Sequence, residues 1–154
     1  MPDVSAAFQA LYDGIAAHLN VDTQVLAPDE HGVVGFQLMQ EGAALQVVQT
    51  PEGTSLLLIA DLGEPPEGDA AAVADALLDA NYLLLEPGAP TFGRNPLTRT
   101  YTVQCARPLQ GLGADELLAA GQRLGMLVTL WKRGGLHMER LREGGTRPVG
   151  AVLA

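Results

Sequence analysis

At 154 residues and 16.1 kDa, with 47% hydrophobic and 18% charged residues, the chain fits one globular domain and is too apolar for a disordered one. Its formal charge of −9 is unevenly held: residues 1–93 carry 14 acids and no Lys or Arg, whereas residues 94–154 carry all nine bases and four acids. So acidic a body repels phosphate backbones, which disfavours nucleic-acid binding, and its acidity reads either as solubility or as a preference for a basic or neutral polypeptide partner.

Residues 3–20 read as a helix. Val4, Phe8, Leu11, Ile15 and Leu19 recur at spacings of four and three, which places them on one stripe, with Asp3 where an N-cap would sit and Asn20 as the stop. The period then changes. Val25 and Leu26 lead to Pro28, and after the turn-like Asp29-Glu30-His31-Gly32 the run Val33–Gln40 puts Val34, Phe36 and Leu38 on alternate positions. Glu41-Gly42 makes a tight hairpin into Leu45–Thr50, and Pro51-Glu52-Gly53 makes another into Ser55–Asp61. That last run does not alternate, which predicts a strand buried on both faces. Tight turns in succession predict an antiparallel meander.

Gly63–Gly68 is a loop, and a second helix is predicted over 69–82 with Val73, Leu77, Ala80 and Leu84 on one stripe. The Pro- and Gly-rich stretch 86–95 reads as irregular, and Arg99–Cys105 is rich in β-formers and reads as a strand. A third helix is predicted over 114–133 from Leu117, Gly121, Leu124, Val128 and Trp131, with Asp115 and Glu116 at its positive end and Lys132 and Arg133 at its negative end. Gly134-Gly135 stops it. The cluster of Arg140, Arg142 and Arg147 lies beyond, in a tail spanning 134–154 with weak order signals, so the predicted domain is 1–133.

Chemistry is sparse. Gly111-Leu112-Gly113 lacks the third glycine of a dinucleotide loop and is followed by acids, so it reads as a helix start and not as a cofactor site. His18, His31 and His137 have no partner at metal-ligand spacing. Cys105 cannot form an internal disulfide, and no base is in evidence to activate it; a thiol enzyme would need both a base and a lowered pKa. Ser5 and Ser55 sit in no nucleophile elbow. No catalytic residue, cofactor or metal is expected, and the reading is that of a non-enzyme. Runs such as Leu56–Ala60 and Tyr82–Leu85 fall far short of the ~18–20 residues that cross a bilayer. Met1-Pro2-Asp3 shows no basic or apolar leader, so a cytoplasmic location without membrane insertion is expected.

The order of elements, together with Ala76-Leu77-Leu78-Asp79-Ala80-Asn81-Tyr82-Leu83 and the third helix from Leu117 to Trp131, resembles the class I type III secretion chaperones, the CesT-type or Tir chaperone family. The family's leucine-rich second helix ends in a similar Ala-Asn pair. The resemblance spans residues 3–133 and implies an α+β fold, an antiparallel sheet flanked by three helices in the order α-β-β-β-α-β-β-α. One departure is Pro87, Pro90 and Phe92–Pro96 where family members run a hydrophobic hairpin.

What the resemblance implies is a cytoplasmic homodimer that binds the N-terminal segment of a secreted effector in extended, non-globular form and keeps it competent for the export apparatus, with no cofactor of its own. Candidate peptide contacts are Phe8, Leu11, Ile15, Val34, Phe36, Leu38 and Val47, and candidates for the dimer seam are Val73, Leu77, Leu84, Tyr101 and Val103. For each of them the alternative is an ordinary core position. The alternative function is the same fold used as a regulatory or adaptor dimer with no exported client.

Overall fold

The computed structural model describes residues 3–65 and 70–134. The helix α1, Ala6–Leu19, starts at Ser5 and not at Asp3: the Ser5 hydroxyl accepts the Phe8 N–H at 3.2 Å. A hydroxyl one turn before Phe8 satisfies an otherwise orphaned helical amide, while Asp3 serves through its carbonyl, which accepts from the Gln49 side chain. Gln49, buried as it is, also accepts the Ser5 N–H at 2.8 Å, so its amide ties the entry of α1 to the sheet. Asn20 ends α1 in the left-handed region that asparagine tolerates.

The meander follows as β1 Gly35–Gln40, β2 Ala43–Gln49 and β3 Ser55–Gly63. Glu41 and Gly42 both have positive φ, the geometry of a two-residue turn whose twist matches its strands. Then come α2 Ala70–Leu83, β4 Thr91–Arg94, β5 Tyr101–Pro108 and α3 Ala114–Lys132. All pairings are antiparallel, and the strands lie in the order β1-β2-β3-β5-β4. The fold is therefore α+β in the expected element order, with β5 inserted between β3 and β4. The stretch 86–95, irregular by sequence, holds β4, because the long β5 supplies a ladder for four residues of weak intrinsic preference. Pro66 to Asp69 of the loop, and the tail with His137, Arg140, Arg142 and Arg147, lie outside the described residues.

Residues that face one another across an antiparallel sheet point to the same side. Leu38, Leu45, Ala60, Val103 and Phe92 form such a row through all five strands, and every one is buried. Phe8, Leu11 and Ile15 of α1 and Leu117, Leu124, Val128 and Trp131 of α3 join them in a single core. The opposite face is different: Met39, Ala44, Gln46 and Ala106 are exposed, and Leu57 and Ile59 only half-buried. The unbroken apolar run of β3 is thus buried on one face alone, since the helices cover only that side and the shelter of Leu57 and Ile59 comes from neighbouring strands.

α3 crosses the β1–β2 hairpin closely enough to demand glycine. A Cβ on Gly125 would stand 2.7 Å from the Gln40 carbonyl oxygen and 3.1 Å from the Glu41 Cβ, and one on Gly121 would crowd Leu45, Gln40 and Leu38. The obstacle at Gly125 is backbone, which cannot swing aside. Gly125→Ala is expected to destabilise by about 1–2 kcal/mol, overpacking outweighing the ~1 kcal/mol that alanine gains in a helix. Gly14→Ala, whose Cβ would meet the Ala114 Cβ at 3.4 Å, is expected to be neutral or stabilising. Urea unfolding of both variants checks the contrast; an unchanged midpoint for Gly125→Ala would refute the close crossing.

Candidate functional site

The two borders of the sheet are β1 and β4, and they differ. The Gln49 N–H donates to the Val34 carbonyl at 2.9 Å, which sets the phase of the β1–β2 ladder. Antiparallel hydrogen bonding alternates. Val34, Phe36, Leu38 and Gln40 therefore turn their backbone groups toward β2, and Gly35, Gln37 and Met39 turn theirs outward. No described strand pairs on that side. β1 is thus an open border about 20 Å long at the usual strand rise.

Next to that border lies an aromatic ledge. Phe36 sits on the helix-covered face at the margin, half-buried, with the Tyr12 ring edge-on at 5.1 Å and the Phe8 ring at 5.6 Å. Tyr12 is half-buried too, so an apolar-aromatic surface continues from the border onto α1.

The β4 border is closed at its middle by a side chain. Asn81, in the last turns of α2, accepts the Phe92 N–H at 2.7 Å and donates to the Phe92 carbonyl at 2.8 Å. Its primary amide has the donor-acceptor pattern of a peptide unit and so stands in for a neighbouring strand. An asparagine at that position of α2 thereby fixes where β4 lies and blunts its edge.

Of the seven candidate peptide contacts, Phe8, Leu11, Ile15, Val34, Leu38 and Val47 are core residues, and Phe36 is the one that keeps open surface. Of the candidate dimer residues, Leu77, Tyr101 and Val103 are core and Val73 and Leu84 half-buried, with the Tyr101 ring tilted against that of Trp131 at 5.5 Å. The large exposed side chains on α2 and just past it are Leu78, Tyr82 and Leu85, at 66%, 70% and 70%. Sequence reasoning passed over Tyr12, one helical turn from Phe8, and Met39, the residue that alternation turns outward. In both cases the spacing held the signal.

Cys105 lies in the core, at the floor of an apolar groove of about 470 Å³ between α3 and the Leu84–Pro90 segment. Burial pushes its thiol above the ordinary value of 9.0, against the opposing pull of Arg107 and Arg123. The thiol is neutral and shielded, the opposite of an activated nucleophile. Among the described residues, no group of His, Cys, Asp and Glu side chains is arranged to hold a metal ion, and no helix is long and apolar enough to cross a membrane.

Removing the Asn81 amide leaves a partly buried N–H and carbonyl of Phe92 without partners, so Asn81→Leu is expected to cost about 1–3 kcal/mol. Asn81→Asp keeps the acceptor for the Phe92 N–H but sets a carboxylate oxygen against the Phe92 carbonyl, and is expected to be destabilising as well. Denaturant midpoints and light scattering read the result; an Asn81→Leu protein as stable as its parent would show that the β4 border does not depend on this contact.

The family profile of the Tir chaperone protein (CesT) family matches residues 11–132. Comparison with curated protein sequences finds no match. Among solved structures, the chain is similar to the HopA1–SchA chaperone–effector complex, at a TM-score of 0.63 and 22% identity over 82% of this chain and 94% of that one. It is similar to the ExoT–SpcS complex from Pseudomonas aeruginosa, at 0.61 and 20% over 83% and 99%. It is similar also to the ExsC–ExsE complex, at 0.62 and 20% over 85% and 95%. Likeness at such identity speaks for the shared fold. The profile match runs from inside α1 to the last residue of α3 and takes in the whole sheet, so the chain belongs to the Tir chaperone protein (CesT) family.

Proposed function

We propose that this protein is a chaperone of a type III secretion effector, binding the effector's N-terminal segment in extended form and keeping it export-competent. The observation that carries this reading is the open β1 border beside the Tyr12–Phe36 ledge, in a chain of a chaperone family. An extended segment adds to such a border as a further strand, its main chain bonding to Gly35, Gln37 and Met39 and its alternate side chains resting on Phe36 and Tyr12. Phe8, Leu11, Ile15, Val34, Leu38 and Val47 hold that surface from beneath. Binding only the extended form stabilises it by mass action, with no nucleotide required. Ordering the segment costs ~2–5 kcal/mol, which calls for a long contact.

The working unit in this reading is a cytoplasmic homodimer that delivers its client to the export apparatus. Leu78 and Tyr82 lie one helical turn apart on α2, with Leu85 just beyond, and form an exposed apolar stripe suited to a second copy. Val73 and Leu84, both half-buried, lie on the Leu77–Ala80 side of the helix, and Leu77, Tyr101 and Val103 are core residues beneath it.

Co-expression with a secreted effector, followed by limited proteolysis, is expected to leave the effector's N-terminal segment protected. Gln37→Pro removes an N–H that faces away from β2, so the fold is expected to persist while client capture falls about tenfold, through one lost main-chain bond and the bulk of the ring. Leu78→Glu with Tyr82→Glu is expected to yield monomers by light scattering. A native chain that stays monomeric at micromolar concentration and captures no effector segment would defeat the proposal.

A further inference from the structure

Acidic side chains bracket the open border at both ends. Asp29 and Glu30 stand in the turn just before β1, and Glu41 stands in the turn just after it. The Asp29 carboxylate accepts the N–H groups of Val33 at 2.8 Å and His31 at 2.9 Å. The Val33 bond above all holds its pKa below the usual carboxylate value, so Asp29 keeps its charge. Glu30 faces the His31 ring at 3.5 Å, and Glu41 accepts from the neutral amide of Gln122. Among the described residues, none of these three carboxylates has a Lys or Arg at ion-pair distance, and residues 1–93 contain no such residue. The charge at both ends of β1 is therefore not neutralised by a lysine or arginine of this part of the chain.

We infer that the strand accepted at the β1 border is apolar at alternate positions along its middle and basic at both ends. This rests on the reading of β1 as a strand-accepting border and adds the chemistry of the guest. Guest residues beside Phe36 and Leu38 fall on the helix-covered side, against the aromatic ledge. Those beside Gly35, Gln37 and Met39 face the open side, where polar groups stay hydrated. The guest's ends reach Asp29 and Glu30 on one flank and Glu41 on the other. Because both flanks are acidic, the preference holds for either strand direction. Acidic ends would instead meet like charge.

The test uses dye-labelled peptides with an alternating Leu/Ser core as long as β1, flanked by pairs of Lys, Glu or Ser, titrated with the native protein by fluorescence anisotropy. The Lys-flanked peptide is expected to bind about tenfold more tightly than the Glu-flanked one at low salt, and the gap to shrink below about threefold near 0.5 M salt, where screening is short-ranged. Glu30→Gln combined with Glu41→Gln is expected to narrow the gap at low salt without moving the unfolding midpoint. N-methylation of alternate core amides of the Lys-flanked peptide is expected to abolish binding. Equal binding of Lys- and Glu-flanked peptides, a gap unchanged in the double variant, binding that survives N-methylation, or no binding by any peptide would each overturn the inference. A co-expressed effector still captured under any of those outcomes leaves the chaperone function standing; loss of that capture as well would end both.

Discussion

Backbone amides along the border of a sheet need partners, and among the described residues a partner is supplied at the β4 border and none at the β1 border. At β4 the Asn81 side chain bonds both polar groups of Phe92 and leaves that edge blunted. At β1 the outward groups of Gly35, Gln37 and Met39 meet no described strand. Water satisfies such groups at little cost, but another polypeptide satisfies them equally well and brings apolar surface besides. In the proposed function this asymmetry makes β1, with the aromatic ledge beside it, the border that would accept a strand.

The helices decide what the incoming strand would touch. They cover one face of the sheet, so Phe36 has a ceiling of Phe8 and Tyr12 while Gln37 and Met39 face solvent. Close crossing of α3 at Gly121 and Gly125 sets the β1–β2 hairpin against the core, and Gln122 of the same helix bonds the Glu41 carboxylate. Packing at the glycines and chemistry at the border are thus parts of one arrangement. Cys105, the chain's one thiol, belongs to the packing and not to the chemistry, because burial keeps it protonated.

Much of this was legible in the residues. Helical stripes marked α1, α2 and α3 to within a few positions, because three-four periodicity is a local property that a buried face imposes on any helix. The Glu41-Gly42 and Glu52-Gly53 turns announced the meander for the same reason. Other readings went astray where distant contacts rule. The N-cap fell to Ser5 because Gln49, 44 residues away, takes the Ser5 amide. Residues 91–94 formed a strand because β5 and Asn81 hold them from either side. The apolar stripe of α1 was open to two readings, guest surface or ordinary core, because periodicity identifies an apolar face without saying what covers it; Phe8, Leu11 and Ile15 are buried in the folded chain.

Composition, element order and family resemblance were readable from the chain alone, as were the absence of cations from its first 93 residues and the likeness to a secretion chaperone. Which border stays open, which aromatic ring remains half-exposed beside it, and which carboxylates flank it came from the folded arrangement. Charge and periodicity are carried by residues near one another in sequence. An open edge is a property of a strand's neighbours, and among the described residues β1 has only β2 beside it because β5, far along the chain, pairs with β3 and β4 at the other end of the sheet.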